Sequence, residues 1–180
     1  MIAAVVLAAG EGRRFGGPKQ LHPIDGRPML ERVLAAVADA AIEPRVCVLG
    51  ARADRIQAEV DLHGSRIVVC ARWRDGQAAS LRAGLAALPA ETSFALVVLG
   101  DGPGLDPEAV RRVAAAAHPG DTRILAADYG GGRSHPVLLP RARWGDVPER
   151  GETPVRGLGA ELVDCRGTRP PGDVDYAASS

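Results

Sequence analysis

Between residues 7 and 21 the chain reads Leu-Ala-Ala-Gly-Glu-Gly-Arg-Arg-Phe-Gly-Gly-Pro-Lys-Gln-Leu. Glycines at this density let the main chain approach a phosphate without Cβ collisions, and successive N–H groups form an anion-binding concavity. Leu7, Ala8, Ala9, Gly10 and Gly12 supply that backbone, and Arg13 and Lys19 add full positive charges. The combination suits a triphosphate. Lys19 is the only lysine in the chain, every other basic residue being arginine. A lysine kept in such a background points to a place that needs a compact ammonium. Two familiar phosphate motifs are excluded. The dinucleotide fingerprint needs glycine where Phe15 stands, and the Walker loop is broken by Pro18 between Gly17 and Lys19 and by Gln20 after it.

A second chemical feature is Gly100-Asp101-Gly102-Pro103, directly after an apolar run. A carboxylate there can hold Mg²⁺, which keeps several waters and needs only one or two protein carboxylates. Asp106, just before Pro107, is the better helix cap, which leaves Asp101 for metal. The family resemblance set out below implies the reaction for these groups, nucleotidyl transfer: attack on an α-phosphorus with loss of pyrophosphate. A phosphate acceptor has a second pKa of ~6 and is already an anionic nucleophile at neutral pH. No general base is then required, and no Ser/His/Asp or Cys/His constellation is visible. Arg13, Lys19 and Asp101 are the expected catalytic residues, the two cations on the β- and γ-phosphates. Glu152 is the candidate second carboxylate, and the same resemblance implies Gly76 and Ser80 against the base or ribose and His135 on the acceptor side. Trp73 either covers the pocket or packs. His22, His63 and His118 lack partners at ligand spacing and read as surface residues.

The elements that must position these residues follow from hydrophobic patterning. Ile2–Ala8 and Phe94–Leu99 are uninterrupted apolar runs, the signature of strands buried on both faces of a parallel sheet. Strands are also expected at 45–49 and 66–70, and weaker ones at 124–127, 136–139 and 161–163. Helical spacing marks 29–41, 54–60, the stretch opened by Gly76 with Leu81, Leu85 and Leu88, and the helix capped by Asp106. Alternating strands and helices predict a three-layer α/β fold with a mostly parallel sheet, in one domain over 1–180. The Pro-, Gly- and Ser-rich segment 167–180 is expected to lie across the surface or fray.

Composition narrows the function further. Lys+Arg and Asp+Glu are both 22, so no basic field favours nucleic acid. Neither a basic-led signal peptide nor an apolar run of ~20 residues is present, and the expected location is the cytoplasm, with no membrane partner. Cys47, Cys70 and Cys165 are far apart, and the first two lie in apolar runs as small core residues.

The ordered motifs resemble a known family. Leu7-Ala8-Ala9-Gly10-x-Gly12-x-Arg14-x-Gly16-x-x-Lys19 is similar to the signature of the MobA-like and MocA-like NTP transferases, which include molybdenum cofactor cytidylyltransferase and its guanylyltransferase cousin. The segment from Trp73-x-x-Gly76 through Ser80-Leu81 to Gly84-Leu85 matches in order, as do Gly100-Asp101-x-Pro103, His135-Pro136-Val137 and Asp173-Val174-Asp175. The resemblance implies a Rossmann-like nucleotidyltransferase fold with a mixed seven-stranded sheet, binding an NTP with Mg²⁺. The Leu-Ala-Ala-Gly form is closer to the cytidylyl branch, which implies CTP as donor and the phosphate of molybdopterin as acceptor. Alternatives are transfer to a sugar phosphate or other small phosphate, and a nucleotide-binding chaperone for a molybdenum enzyme. The chain departs from the family at Gly151-Glu152-Thr153-Pro154-Val155-Arg156, where only the acidic and basic ends of a Gly-Asp-x-Gly-Ala-Arg element survive. Glu152 and Arg156 are carried over as acceptor-side residues on that match. Ser134 replaces a glycine before His135, and Gly102 stands where the cytidylyl branch has a larger polar residue.

Overall fold

The computed structural model describes residues 1–12, 15–152, 154–155 and 157–172 of the chain. Its centre is a seven-stranded sheet built from β1 (Ile2–Ala8), β4 (Arg45–Leu49), β5 (Arg66–Val69), β6 (Phe94–Leu99), β7 (Leu125–Asp128), β8 (Arg133–Pro140) and β9 (Glu161–Asp164). Their order is β5-β4-β1-β6-β8-β7-β9. β1 pairs in parallel with β4 and β6, β4 with β5, and β7 with β9, whereas β8 runs antiparallel to both its neighbours. The sheet is therefore mixed and mostly parallel. β2 (Pro23–Ile24) and β3 (Arg27–Pro28) form a separate small hairpin.

Alternation along β1 shows why the buried strands read as continuous apolar runs. Ala4, Val6 and Ala8 face a core shared with α1 (Met29–Asp39), α2 (Ala53–Glu59) and α4 (Pro107–Ala115). Ala3, Val5 and Leu7 face the opposite core, shared with α3 (Gln77–Ala86) and with Trp144, Val147 and Val155. Both faces are covered, so a polar position would cost the desolvation of its side chain. Gly84 lets α3 press onto the sheet, since a Cβ there would meet Val5 at 2.5 Å and Val48 at 2.9 Å. Cys47 and Cys70 are buried as expected, and burial pushes the Cys47 thiol up to about 12.

Asp106 caps α4 as the sequence predicts, its side chain accepting from the Glu108 N–H at 2.9 Å. It also accepts from the Arg169 N–H at 3.1 Å, and these two backbone bonds hold its carboxyl below the usual range. The start of the Pro- and Gly-rich tail is thereby fastened across the surface. Gly104 donates to Pro171 O at 2.8 Å, and the Arg169 Nε donates to Gly104 O at 3.0 Å. Residues 173–180 lie outside the described part. Among the described residues no helix is long and apolar enough to cross a membrane.

Candidate active site

At the carboxyl ends of β1 and β6, where open α/β sheets bind ligands, the chain encloses a cavity of about 730 Å³. Leu7, Ala8, Ala9, Gly10, Gly12, Lys19, Gly76, Ser80, Asp101 and Glu152 all line it, so the structure brings together ten candidate residues from between positions 7 and 152. Arg13 and Arg156 lie outside the described residues, as do Asp173 and Asp175.

The phosphate-loop wall is built by close backbone turns. Gly12 adopts φ +70°, and a Cβ there would lie 2.1 Å from Gly17 O. Phe15 N closes the turn onto Gly12 O at 2.9 Å. A 3₁₀ turn at Lys19–Leu21 then brings the chain back against β1. Gln20, 7% exposed, donates from Nε2 to Ala8 O at 2.7 Å and to Gly10 O at 2.8 Å. The sequence reading passed over Gln20, because a polar residue beside the loop's lysine carries no pattern that distinguishes a brace from a solvated side chain.

Replacing Gly12 with alanine is expected to displace this loop. Holding the left-handed backbone with a side chain costs about 1–3 kcal/mol, and the 2.1 Å approach to Gly17 O leaves no room to accept it. Isothermal titration should show nucleotide affinity down ~10-fold or more, with the ligand-free melting temperature shifted only a few degrees. Gly17→Ala, where a Cβ meets nothing within 4 Å, is the control and should bind as the parent does.

Opposite the loop, Gly100 donates to Leu7 O at 2.8 Å, and a Cβ at Gly100 would meet Ala8 Cβ at 2.9 Å. The ends of β1 and β6 are thus pinned side by side, and Asp101 emerges next to the loop. The Lys19 ammonium reaches Asp101 Oδ2 at 3.1 Å, with the lysine side chain 14% and the aspartate 41% exposed. The third wall is the start of α3. Gly76 has φ +98°, and a Cβ there would lie 2.7 Å from Gly151 O. Ala78 donates to Gly151 O at 2.9 Å and Gly151 to Asp75 O at 3.1 Å, which holds the neighbouring Glu152 on the cavity wall. Trp73 lines the cavity while packing on Gly50, and the Arg74 guanidinium sits 4.5 Å over its ring. Covering the pocket and packing, posed as alternatives by the sequence, are both true of Trp73.

His135 lies elsewhere. It lines a second cavity of about 360 Å³ that shares Leu99 and Asp101 with the first. Its Nδ1 is 3.3 Å from Val97 O, and burial keeps its pKa below the usual histidine value. The tail forms another wall of this cavity: Pro171 Cβ would be 2.7 Å from a Cβ on Gly102. The departure at Gly102 therefore has a local cause, since a larger residue there would push the tail away. Of the remaining histidines His118 is exposed, but His22 and His63 are partly buried rather than on the surface. His22 stands edge-on to Phe15 at 4.8 Å. Among the described residues no group of three or more His, Cys, Asp or Glu could hold a metal ion.

The family model described as the MobA-like NTP transferase domain matches residues 4–164, from β1 to the end of β9. The chain belongs to this family. A protein named nicotine blue oxidoreductase, from Paenarthrobacter nicotinovorans, is 33% identical over 193 residues, covering 97% of this chain and 92% of that protein. The crystal structure of Rv0371c from Mycobacterium tuberculosis H37Rv superposes with a TM-score of 0.84 at 30% identity, covering 97% of this chain and 93% of that one. Another structure of Rv0371c is a complex with manganese. A nucleotidyl transferase from Methanothermobacter gives a TM-score of 0.83 at 25% identity, covering 98% of this chain and 92% of that one. For a MobA-like domain the mixed sheet and the glycine-rich loop at the end of β1 are the expected framework, and nucleotidyl transfer is the activity class.

Proposed function

We propose that this chain transfers CMP from CTP onto a small phosphorylated acceptor, with molybdopterin as the compound the motif resemblance favours, and releases pyrophosphate in the cytoplasm. The observation that carries the reading is the Lys19–Asp101 contact on the wall of a cavity lined by the Ala8–Gly12 backbone. It sets one cation and one carboxylate beside a main-chain cradle for phosphates. Asp101 is open enough to take a divalent ion, and Glu152 lines the same cavity as a second carboxylate. One or two carboxylates, completed by phosphate oxygens and water, fit Mg²⁺ or Mn²⁺, and the manganese complex of Rv0371c supports such an ion here. The ion supplies charge stabilisation on the phosphates.

The chain's own residues do the rest. The loop amides and Arg13 hold the β- and γ-phosphates, and Lys19, released from Asp101 when nucleotide enters, stabilises charge on departing pyrophosphate. Gly76 and Ser80 border the nucleoside. The acceptor enters through the second cavity, which meets the first at Asp101 and presents Ser134 and His135, whose pKa burial lowers. Glu152, on the wall of the first cavity, and Arg156 are assigned to the acceptor by the motif match alone.

A thermal-shift comparison of the four NTPs with Mg²⁺ tests the donor. A ligand at ~100 times its Kd adds about 2.7 kcal/mol, and CTP should stabilise most. Preference for GTP or UTP redirects the donor, and no response to any NTP overturns the proposal. Pyrophosphate release over a panel of phosphorylated pterins and sugars then separates turnover from a chaperone role toward a molybdenum enzyme. A second reading, redox chemistry in the same cavity, is favoured by the name of the 33% identical relative. Redox turnover of a dye substrate, in protein that ignores CTP, would select it.

A further inference from the structure

Gln20 is nine-tenths buried, yet its carboxamide is only half used. Both Nε2 contacts are to carbonyl oxygens, Ala8 O and Gly10 O, which only an NH₂ group can serve, so the amide orientation is fixed. Among the described residues its Oε1 is buried without a hydrogen-bond partner. An orphan acceptor is unfavourable, and an apolar side chain of the same length would avoid it. The residue is therefore present for its two donors.

We infer that Gln20 is a positioning residue for the polyphosphate, fixing which side of the loop turns its N–H groups toward the cavity. The reason is peptide geometry. In a planar trans peptide the C=O of one residue and the N–H of the next point in opposite directions. Gln20 holds the Ala8 and Gly10 carbonyls toward its own carboxamide, which turns the Ala9 and Glu11 amides the other way. The intervening carbonyl, Ala9 O, accepts from Ala51 N at 3.2 Å beyond the end of β4. Three consecutive carbonyls are thus occupied by donors of the protein, in a stretch that lines the cavity together with Gln20. Carbonyl oxygens rotated into the cavity would repel phosphate and remove the amides that attract it. The inference rests on the nucleotide reading and adds the group that preorganises the loop for it.

The test separates polyphosphate recognition from general stability. CTP, cytidine and inorganic tripolyphosphate are titrated by calorimetry into the parent and into Gln20→Met, which keeps the length without donors, and Gln20→Lys, which keeps donors. Gln20→Met should weaken CTP and tripolyphosphate ~10-fold or more while leaving cytidine within about twofold, and Gln20→Lys should recover most of the loss. Unchanged tripolyphosphate binding in Gln20→Met, or equal weakening of cytidine, overturns the inference alone. Parent protein that binds neither CTP nor tripolyphosphate overturns the nucleotide reading and this inference with it. An independent measurement needs no variant: tripolyphosphate should move the backbone ¹⁵N–¹H resonances of residues 9–11 more than any others in the parent. Resonances there that stay still overturn the inference too.

Discussion

Asp101→Asn is expected to lower kcat/KM for nucleotidyl transfer by ~10³. The substitution keeps size and shape but removes the charge on which a divalent ion would rest. It also removes the partner of Lys19 at 3.1 Å. Because the Asp101 side chain is 41% exposed and sits after β6 rather than within it, the melting temperature should move by no more than a few degrees. The sharper readout is the metal. In the parent, Mg²⁺ should raise CTP affinity, and in Asp101→Asn that increment should vanish. A kcat/KM within tenfold of the parent, or an undiminished Mg²⁺ effect on CTP binding, would take Asp101 out of the metal site.

Lys19→Ala is expected to cost ~10² or more in kcat/KM, the scale for losing one charged contact to developing negative charge. Lys19→Arg should recover little. A guanidinium is a broad planar fork, and the lysine is 14% exposed in a wall shaped around a compact ammonium. The double variant Lys19→Ala/Asp101→Asn should lose less than the product of the single losses, because each single change already removes the Lys19–Asp101 contact. Steady-state pyrophosphate release on the four proteins gives the coupling directly. A drop of only a fewfold in Lys19→Ala would remove this residue from catalysis.

The parts of the fold that were legible from sequence are those where a local pattern has a single structural meaning. The apolar runs at 2–8 and 94–99 could only be doubly buried strands, and their boundaries match β1 and β6. Asp106-Pro107 could only open a helix, and it does. The slot taken by β8 was not readable from periodicity. Residues 133–140 lie between β6 and β7 and antiparallel to both because a tight turn at Gly130–Gly132, held by Asp128 Oδ1, folds β8 back into that gap. Strand order is set by such long-range packing, and only the family resemblance implied a mixed sheet. The small β2–β3 hairpin did have a signal: Asp25 and Gly26 both have positive φ, the pair that a two-residue hairpin turn favours. Flanked by strands of two residues each, it offered no alternation to notice.

The site divides in the same way. Glycines, a lone lysine and an aspartate at a strand end announce phosphate chemistry by type and spacing alone. What binds them into one wall is invisible locally: Gln20 reaching back to Ala8 and Gly10, and Gly151 seated on Gly76. Fastening of the tail by Asp106 and Gly104 likewise depends on residues more than sixty positions apart. The Pro- and Gly-rich composition of that segment speaks only of a chain unsuited to helix or sheet.

The chain holds two tryptophans, and they sit in different surroundings. Trp144 is occupied with Leu139 O and the Arg141 guanidinium, whereas Trp73 lines the cavity of the candidate site beneath Arg74. The protein therefore carries its own optical reporter. With Trp144 changed to phenylalanine, the remaining emission would come from the cavity wall alone, and occupancy could be followed in real time without attaching a dye.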